Sequence, residues 1–382
     1  MGTPFYPRTR GERRLILAGG GHAQLSVLHA LAAQPPEFEV VLVTPSPYQI
    51  YSGMLPGWMG GHYSLSDCQI DLRPLAKAAG ATLLMEQIVG LEASGRTVFL
   101  SNGTPLAYDL LSLDIGAESD LSWLEAAQEH LLPIKPLGEF VRRWPSVLAA
   151  AVKQEDYRLV VVGGGAAGVE LAFAAQQACA GFGCKPSITL VFAQNSLLPG
   201  HSRGTQRRAE ALLGQRGITL VQERAAGIAE GLMLSSGQFL RADCILATTG
   251  SRAPAWLRDS GLELDEQGYV GVDATHRSRS HGEVFAAGDV CSRTDIRLAR
   301  SGVHAVFAGP VLAHNLLASI RGEPLITYQP HHRSLYLLAT GPKQAIASWG
   351  GLSAHGHWVW LWKNWIDRRF MNKHAMGTDH RV

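Results

Sequence analysis

The sequence predicts an α/β protein, two units each built on a parallel β-sheet, followed by a C-terminal extension. Three observations predict it. Residues 14–18 and 158–162 are short apolar strands that each run into a glycine turn and then an apolar-periodic helix, the first half of a βαβ unit. A third apolar segment, 283–287, ends in Gly288-Asp289. The length, 382 residues, exceeds one ordinary domain and suits two or three.

Composition narrows the classes. Hydrophobic residues make up 46% and charged residues 17%, enough apolar material for buried cores. The 42 glycines cluster behind apolar runs, where a backbone must approach a ligand closely. A net charge of +2 argues against a nucleic-acid binder. Five cysteines at no metal-like spacing indicate a reduced, cytoplasmic chain with no disulfide framework and no metal site. The apolar stretch 15–18 is too short for a secretory signal. The most hydrophobic window, 159–174, holds glycines and Glu170, which argues against a membrane span.

In the first glycine motif, Gly19 makes the tight turn and Gly21 lets a dinucleotide pyrophosphate approach the amides at the positive end of the helix. Gln24 stands where a third glycine is usual. The second strand, 38–43, ends in Thr44-Pro45 with no acid, so a hydroxyl is left to meet a ribose. Asp114, at the end of the apolar run 110–115, is unexpected. A carboxylate buried there must be hydrogen-bonded or protonated.

The second motif is complete. Gly163, Gly165 and Gly168 fit G-x-G-x-x-G after the strand 158–162. The following strand, 187–192, ends at Ala193-Gln194 without an acid or an obvious arginine for a 2′-phosphate, which tilts the expectation towards NADH over NADPH. In the third motif, Gly288-Asp289 can set a carboxylate against a sugar-alcohol chain. In isolation such a pair is usually a plain turn; third after two glycine motifs, it reads as a ligand contact.

Together these motifs resemble the pyridine nucleotide-disulfide oxidoreductase superfamily, flavoproteins that hold FAD and NAD(P) in two Rossmann-like domains. Within it the sequence is most similar to the type II NADH dehydrogenase branch, and closest to the oxidoreductase modules fused to selenide, water dikinase. The carrying residues are Gly19 to Ala23, Thr44 to Tyr48, Tyr51 to Gly57, His62-Tyr63, Ile70 to Arg73 and Thr340 to Lys343. In that branch Gln24 and the missing acid are ordinary.

The resemblance implies an FAD domain, residues 1–138 and 273–326, split by an NAD(P) domain at 139–272, with an extension at 327–382. It implies FAD contacts at Gly19, Gly21, His22, Ala23, Thr44, Pro45, Met54, Leu55, Ile88, Gly116, Gly288, Asp289, Gly302 and Val303. NAD(P) contacts would be Gly163, Gly165, Gly168 and Gly250, with Gly116 and Gly250 after the two crossover strands. A helix beginning near Arg300 would turn its positive end towards the flavin. Glu170 matches a glutamate close to nicotinamide and flavin, and is the one catalytic candidate, although a glutamate in a first helical turn is favourable without any chemistry. The implied activity is hydride transfer from NAD(P)H to FAD, then electron transfer to a quinone or other small acceptor.

Cys179 and Cys184 have redox-pair spacing, but the family's flavin-linked pair falls where this chain has Tyr51 to Met54. Cys291 reads as a small buried residue. At 357–370 the sequence predicts a tryptophan-rich helix with an apolar stripe of Val359, Trp362, Ile366 and Phe370 and a basic edge of Lys363, Arg368, Arg369 and Lys373. Such a helix suits peripheral contact at the inner face of a membrane, or packing within the chain or a homodimer. Positions that carry glutamines in quinone-reducing relatives are Val303, Phe307 and Ala308 here. Two alternatives stay open: a selenium- or sulfur-linked flavin oxidoreductase, and a nucleotide-binding partner module without turnover.

Overall fold

The computed structural model describes residues 13–193, 195–298, 302–330 and 333–375. Gln194, Arg300 and the chain before Arg13 lie outside the described residues. The first unit opens with β1 (Arg14–Ala18), α1 (His22–Ala33), β2 (Glu39–Val43), β3 (Ala81–Leu84) and β4 (Leu110–Leu113). The second contains β5 (Leu131–Pro133), β6 (Arg158–Val162), α2 (Ala166–Gly181), β7 (Ser187–Val191), α3 (Arg203–Gln215), β8 (Thr219–Val221) and β9 (Cys244–Ala247). The chain then returns through β10 (Val284–Ala286) and α4 (Gly302–Arg321). It ends in β11 (Leu335–Ala339), β12 (Ala345–Trp349), β13 (Leu352–Gly356) and α5 (His357–His374).

Both sheets are five-stranded and parallel, ordered β10-β4-β1-β2-β3 and β5-β9-β6-β7-β8. The architecture is α/β with two Rossmann-like units, as the glycine spacing predicts. In the first sheet Ile16 registers with Val41 on one side and Leu111 on the other. Helices and loops cover both faces of such a sheet, so its strands are apolar runs instead of alternating ones. Helix α4 is long and apolar enough to cross a membrane by length and composition alone, yet it packs along α1. Small residues allow that approach: a Cβ on Gly309 would sit 2.7 Å from Ser26 Oγ.

The structure corrects one boundary. Residues 131–133, expected in the FAD domain, form β5 on the edge of the second sheet, so the crossing between units comes earlier than 138. It runs beside an antiparallel pair, Glu118–Ser119 with Ser251–Arg252, just after Gly116 and Gly250.

The extension joins the two units. Leu338 and Ile346 enter the second unit's core, while Phe370 and Met371 pack on the first. Helix α5 is thus pinned by one face, and the expected apolar stripe divides. Val359 is buried, and Ile366 and Phe370 are partly buried, whereas Trp362 is exposed together with Trp358, Leu361 and Trp365. Lys363 leaves the basic edge altogether. It is buried, because Asp367 one turn later offers it a partner inside the protein.

Candidate functional site

Each glycine of the first motif has a steric reason to be glycine. Gly19 has φ +89°, and a Cβ there would lie 2.4 Å from the Asp114 carbonyl oxygen. A Cβ on Gly21 would lie 2.2 Å from the Asp114 carboxyl carbon, and one on Gly288 2.6 Å from Asp114 Oδ1. The first and third motifs therefore converge on Asp114. Its Oδ2 accepts the backbone N–H groups of Ala23 and Gln24 at 2.8 and 3.0 Å, capping α1 from another strand. Burial pushes this carboxyl up to about 7, the two amides oppose that, and nearby Asp289 adds to it. Gln24 makes up for the absent glycine by donating to the Ser112 carbonyl at 2.9 Å and Oγ at 3.0 Å.

Around this point sit groups that the chain itself leaves incomplete. His22 Nε2, Gln24 Oε1 and Gln49 Oε1 are buried without a hydrogen-bond partner. Burial lowers the His22 imidazole to about 4, so the ring is neutral. Asp289 meets Lys135 Nζ at 2.6 Å, a partner that no sequence motif signalled. Gly116, at φ +72°, has open space where a Cβ would be. A glycine cradle, unsatisfied buried polar atoms and an acid–lysine pair fit a dinucleotide such as FAD.

Other expected contacts fall differently. Thr44 Oγ1 donates to the Ser46 carbonyl at 3.2 Å, leaving only its lone pairs for a ribose, and Pro45 is exposed. The side chains of Met54, Leu55 and Ile88 are buried in three separate apolar clusters, because each sits on the inward side of its element. Gly302 starts α4, its Cβ position 3.5 Å from Ser52 Oγ, with Val303 partly buried beside it. Ala308 faces the first core and Phe307 is exposed, so these two do not share a wall. Cys291 is buried, as expected, with its thiol donating to the Gly288 carbonyl at 3.5 Å.

In the second motif a Cβ on Gly163 (φ +127°) would lie 2.4 Å from the Thr248 carbonyl oxygen, and one on Gly168 only 1.8 Å from that of Gly163. Around Gly165 and Gly250 there is nothing within 4 Å of the Cβ position. Whereas α1 is capped by the Asp114 carboxylate, helix α2 has no side-chain cap and no acidic residue in its first turn. Its positive end is open to an anion, which fits the NAD(P) pyrophosphate.

A narrow cleft is lined by Gly53, Gly57, His62, Tyr63, Glu170, Gln177, Ala339, Gly341, Trp360 and Lys363. The Glu170 carboxylate accepts the Ala339 N–H at 2.8 Å, and enclosure by protein pushes it up to about 7 despite the Lys363 charge. Lys363 Nζ donates to the Gly53 carbonyl at 2.6 Å and to Asp367 Oδ2 at 2.7 Å. Burial alone would lower this ammonium, but Asp367 and Glu170 outweigh it and hold it above its ordinary value. Tyr51 Oη donates to Asp367 Oδ1 at 3.2 Å. The group spans both units and the extension. No cysteine lines the cleft.

The comparisons with known proteins agree with this geometry. The family profile described as "Pyridine nucleotide-disulphide oxidoreductase" matches residues 13–309. Among relatives, the alternative NAD(P)H-ubiquinone oxidoreductase C1 of Arabidopsis thaliana is 26% identical over 373 residues, 86% of this chain and 71% of that one. The demethylphylloquinone reductase NdbB of Synechocystis is 23% identical over 375 residues, 91% of this chain and 89% of that one. Among solved structures, the sulfide:quinone oxidoreductase of Aquifex aeolicus superposes with a TM-score of 0.80 at 16% identity, covering 96% of this chain and 93% of that one. NDH2 of Plasmodium falciparum gives 0.79 at 13%, covering 95% and 97%. With a profile match over most of its length, the chain belongs to the pyridine nucleotide-disulphide oxidoreductase family.

Proposed function

We propose that this protein is an FAD-dependent NAD(P)H oxidoreductase that delivers electrons to a quinone. The carrying observation is that Glu170, on the helix that follows the second glycine motif, lines one cleft with Gly53, Gly57 and Lys363, and that Lys363 is paired with Asp367. FAD, when bound, accepts a hydride from the nicotinamide and releases electrons to the acceptor. The backbones at Gly19, Gly21 and Gly288, with Asp289 and Lys135, would hold FAD. Gly163, Gly165 and the open end of α2 would hold the dinucleotide donor. Reducing a quinone to a quinol consumes two protons. Glu170, pushed up to about 7, can hold and release a proton near neutrality, and Lys363 keeps positive charge beside it. His22 stays neutral and so adds no charge against a flavin.

The names of the quinone-reducing relatives support this acceptor. NADH is the preferred donor in this reading, since no arginine directly follows the strand 187–192. The segments 1–138 with 273–326 and 139–272, the first shortened at β5, are the FAD and NAD(P) units. The exposed face of Trp358, Leu361, Trp362 and Trp365 lies against the cytoplasmic side of a membrane, where quinones partition. A second reading, a selenium- or sulfur-linked acceptor, rests on the resemblance to the modules fused to selenide, water dikinase; Gly341, within the motif Thr340 to Lys343, lines the Glu170 cleft. That acceptor would have to be a small molecule, since the cleft has no cysteine.

The test is the visible spectrum of purified protein, taken anaerobically before and after NADH and then a water-soluble quinone. A flavin band that bleaches and returns is expected. A protein that takes up no FAD, or holds FAD that NAD(P)H cannot bleach, overturns the proposal. Bleaching reversed by selenite or polysulfide but not by quinone supports the second reading.

A further inference from the structure

We infer that Cys179 and Cys184 form a reversible dithiol/disulfide site at the C-terminal cap of α2, reached by small disulfides through the cavity beside it. The helix ends in a double-bonded cap: Gly183 N–H donates to the Ala180 carbonyl at 3.1 Å and Cys184 N–H to the Cys179 carbonyl at 3.0 Å, with Gly183 at φ +75°. This is the Schellman arrangement, in which the residue three from the helix end and the second residue beyond it are brought into side-chain contact. In most helices an apolar pair fills those two places. Here both are cysteines. The Cys184 thiol also lies 3.2 Å from the Cys179 carbonyl oxygen. A cap that already holds the two side chains together needs little backbone movement to accept an S–S bond.

Access is unequal. Cys179 is buried, while Cys184 is partly exposed and lines a cavity of about 330 Å³ with Lys185, Gly183, Arg216 and Gly217. That volume admits more than a peroxide, and two cationic side chains favour a disulfide that bears carboxylates. The cavity and the cleft lie along the same helix, with Gln176 lining the one and Gln177 the other, and Cys179 is nine helical steps, about 13 Å, from Glu170.

The chemistry is thiol–disulfide exchange. Cys184 loses its proton and attacks one sulfur of the small disulfide. A mixed S–S bond forms, the original one breaks, and one small thiol leaves carrying a proton. Cys179 then attacks the Cys184 sulfur, gives up its own proton and expels the second small thiol. Two protein thiols are oxidised by two electrons, and one small disulfide is reduced to two thiols. Burial, with Cys184 beside it, pushes the Cys179 thiol up to about 12, which suits the second place in this order.

The experiment treats the full chain with oxidised glutathione, then alkylates remaining thiols and maps them by mass spectrometry. Wild type is expected to show a 179–184 disulfide and two fewer alkylated cysteines, reversed by dithiothreitol. C179S should stop at a glutathione adduct on Cys184, and C184S should leave Cys179 reduced. R216A should slow reaction with oxidised glutathione several-fold while leaving neutral hydroxyethyl disulfide unchanged. Wild type that keeps both thiols, or that accumulates a lasting adduct on Cys184, overturns the inference. Equal slowing of both reagents in R216A removes the role given to the cationic cavity.

Discussion

Lys363 and Asp367 stand one helical turn apart with Nζ and Oδ2 2.7 Å from each other, on the face of α5 turned into the protein. Removing the cation would leave two carboxylates, Asp367 and Glu170, in a low-dielectric site without their shared counter-charge. Breaking one side of a buried pair commonly costs about 3–5 kcal/mol. Lys363→Met should therefore lower the unfolding midpoint clearly, and Lys363→Met with Asp367→Leu should recover part of the loss. Urea unfolding of the three proteins checks this; a single variant as stable as wild type would show that the pair is solvated.

Glu170 predicts a pH signature. A carboxyl raised to about 7 is protonated below that value and can supply a proton to the acceptor; above it that ability is lost. Quinone reduction should fall as pH rises through about 7. Glu170→Gln can keep the bond from Ala339 N–H through its amide oxygen, yet it should be about 10²-fold slower in the quinone step and lack the inflection. Stopped-flow traces of the oxidative and reductive halves separate this from impaired NADH reduction, which should change little.

Asp114 has the opposite sign from a salt-bridged acid. Its folded value is raised, so the native state holds the proton more tightly than the unfolded chain does. Its contribution is most favourable below its ordinary value of 3.8, is lost progressively as pH rises to about 7, and is constant above. The loss is on the order of 4 kcal/mol at most. Asp114→Asn should lie increasingly above wild type in stability between those limits. The ionised group also opposes a pyrophosphate at α1, so flavin release from wild type should quicken above about pH 7 and that of the variant should not. Parallel pH profiles for the two proteins would remove the assigned proton.

These three residues mark how far the sequence could be read. The glycine spacings gave the two parallel units because each glycine answers a local steric demand: Gly168 meets the backbone of Gly163 five residues away. Asp114 looked anomalous because its partners, the Ala23 and Gln24 amides, are some ninety residues distant. Lys363 read as surface charge because a lysine on an amphipathic helix usually is, and nothing local revealed that Gly53 and Glu170 would close over it. Lys135 belongs to no motif; it lies just after β5, and only the fold brings it to Asp289. Met54, Leu55 and Ile88 are FAD contacts by resemblance, and family position does not say which way a side chain points; the fold sets all three in apolar clusters.

The two unlike glycines of the second motif make a paired test. Gly165 has an empty Cβ position, so Gly165→Val should fold normally, bind FAD and lose reduction by NADH, because the added group occupies the approach of the dinucleotide. Gly168→Ala instead drives a methyl to 1.8 Å from the Gly163 carbonyl. The backbone must shift, at a cost of about 1–3 kcal/mol. Thermal unfolding and anaerobic bleaching, measured on both variants, should give opposite patterns. Normal bleaching in Gly165→Val would displace the donor from this motif.

The exposed side of α5 sets the last expectation. Trp358, Leu361, Trp362 and Trp365 follow each other at spacings of three, one and three, which places them on one face, while Val359, Lys363 and Asp367 hold the opposite face inside the protein. Arg369 lies over the Trp365 ring, its guanidinium 5.3 Å from the centroid, and Arg368 is likewise over Tyr63, so cations border the apolar face. That pattern suits anionic lipid headgroups above an acyl boundary. The protein should pellet with vesicles containing phosphatidylglycerol and bind neutral ones more weakly. Trp362→Glu with Trp365→Glu should lose pelleting by at least tenfold without a change in unfolding midpoint, since neither side chain is buried. If the same double variant instead turns a dimer into a monomer by light scattering while pelleting is absent from the start, the face belongs to a second copy of the chain and the membrane assignment falls.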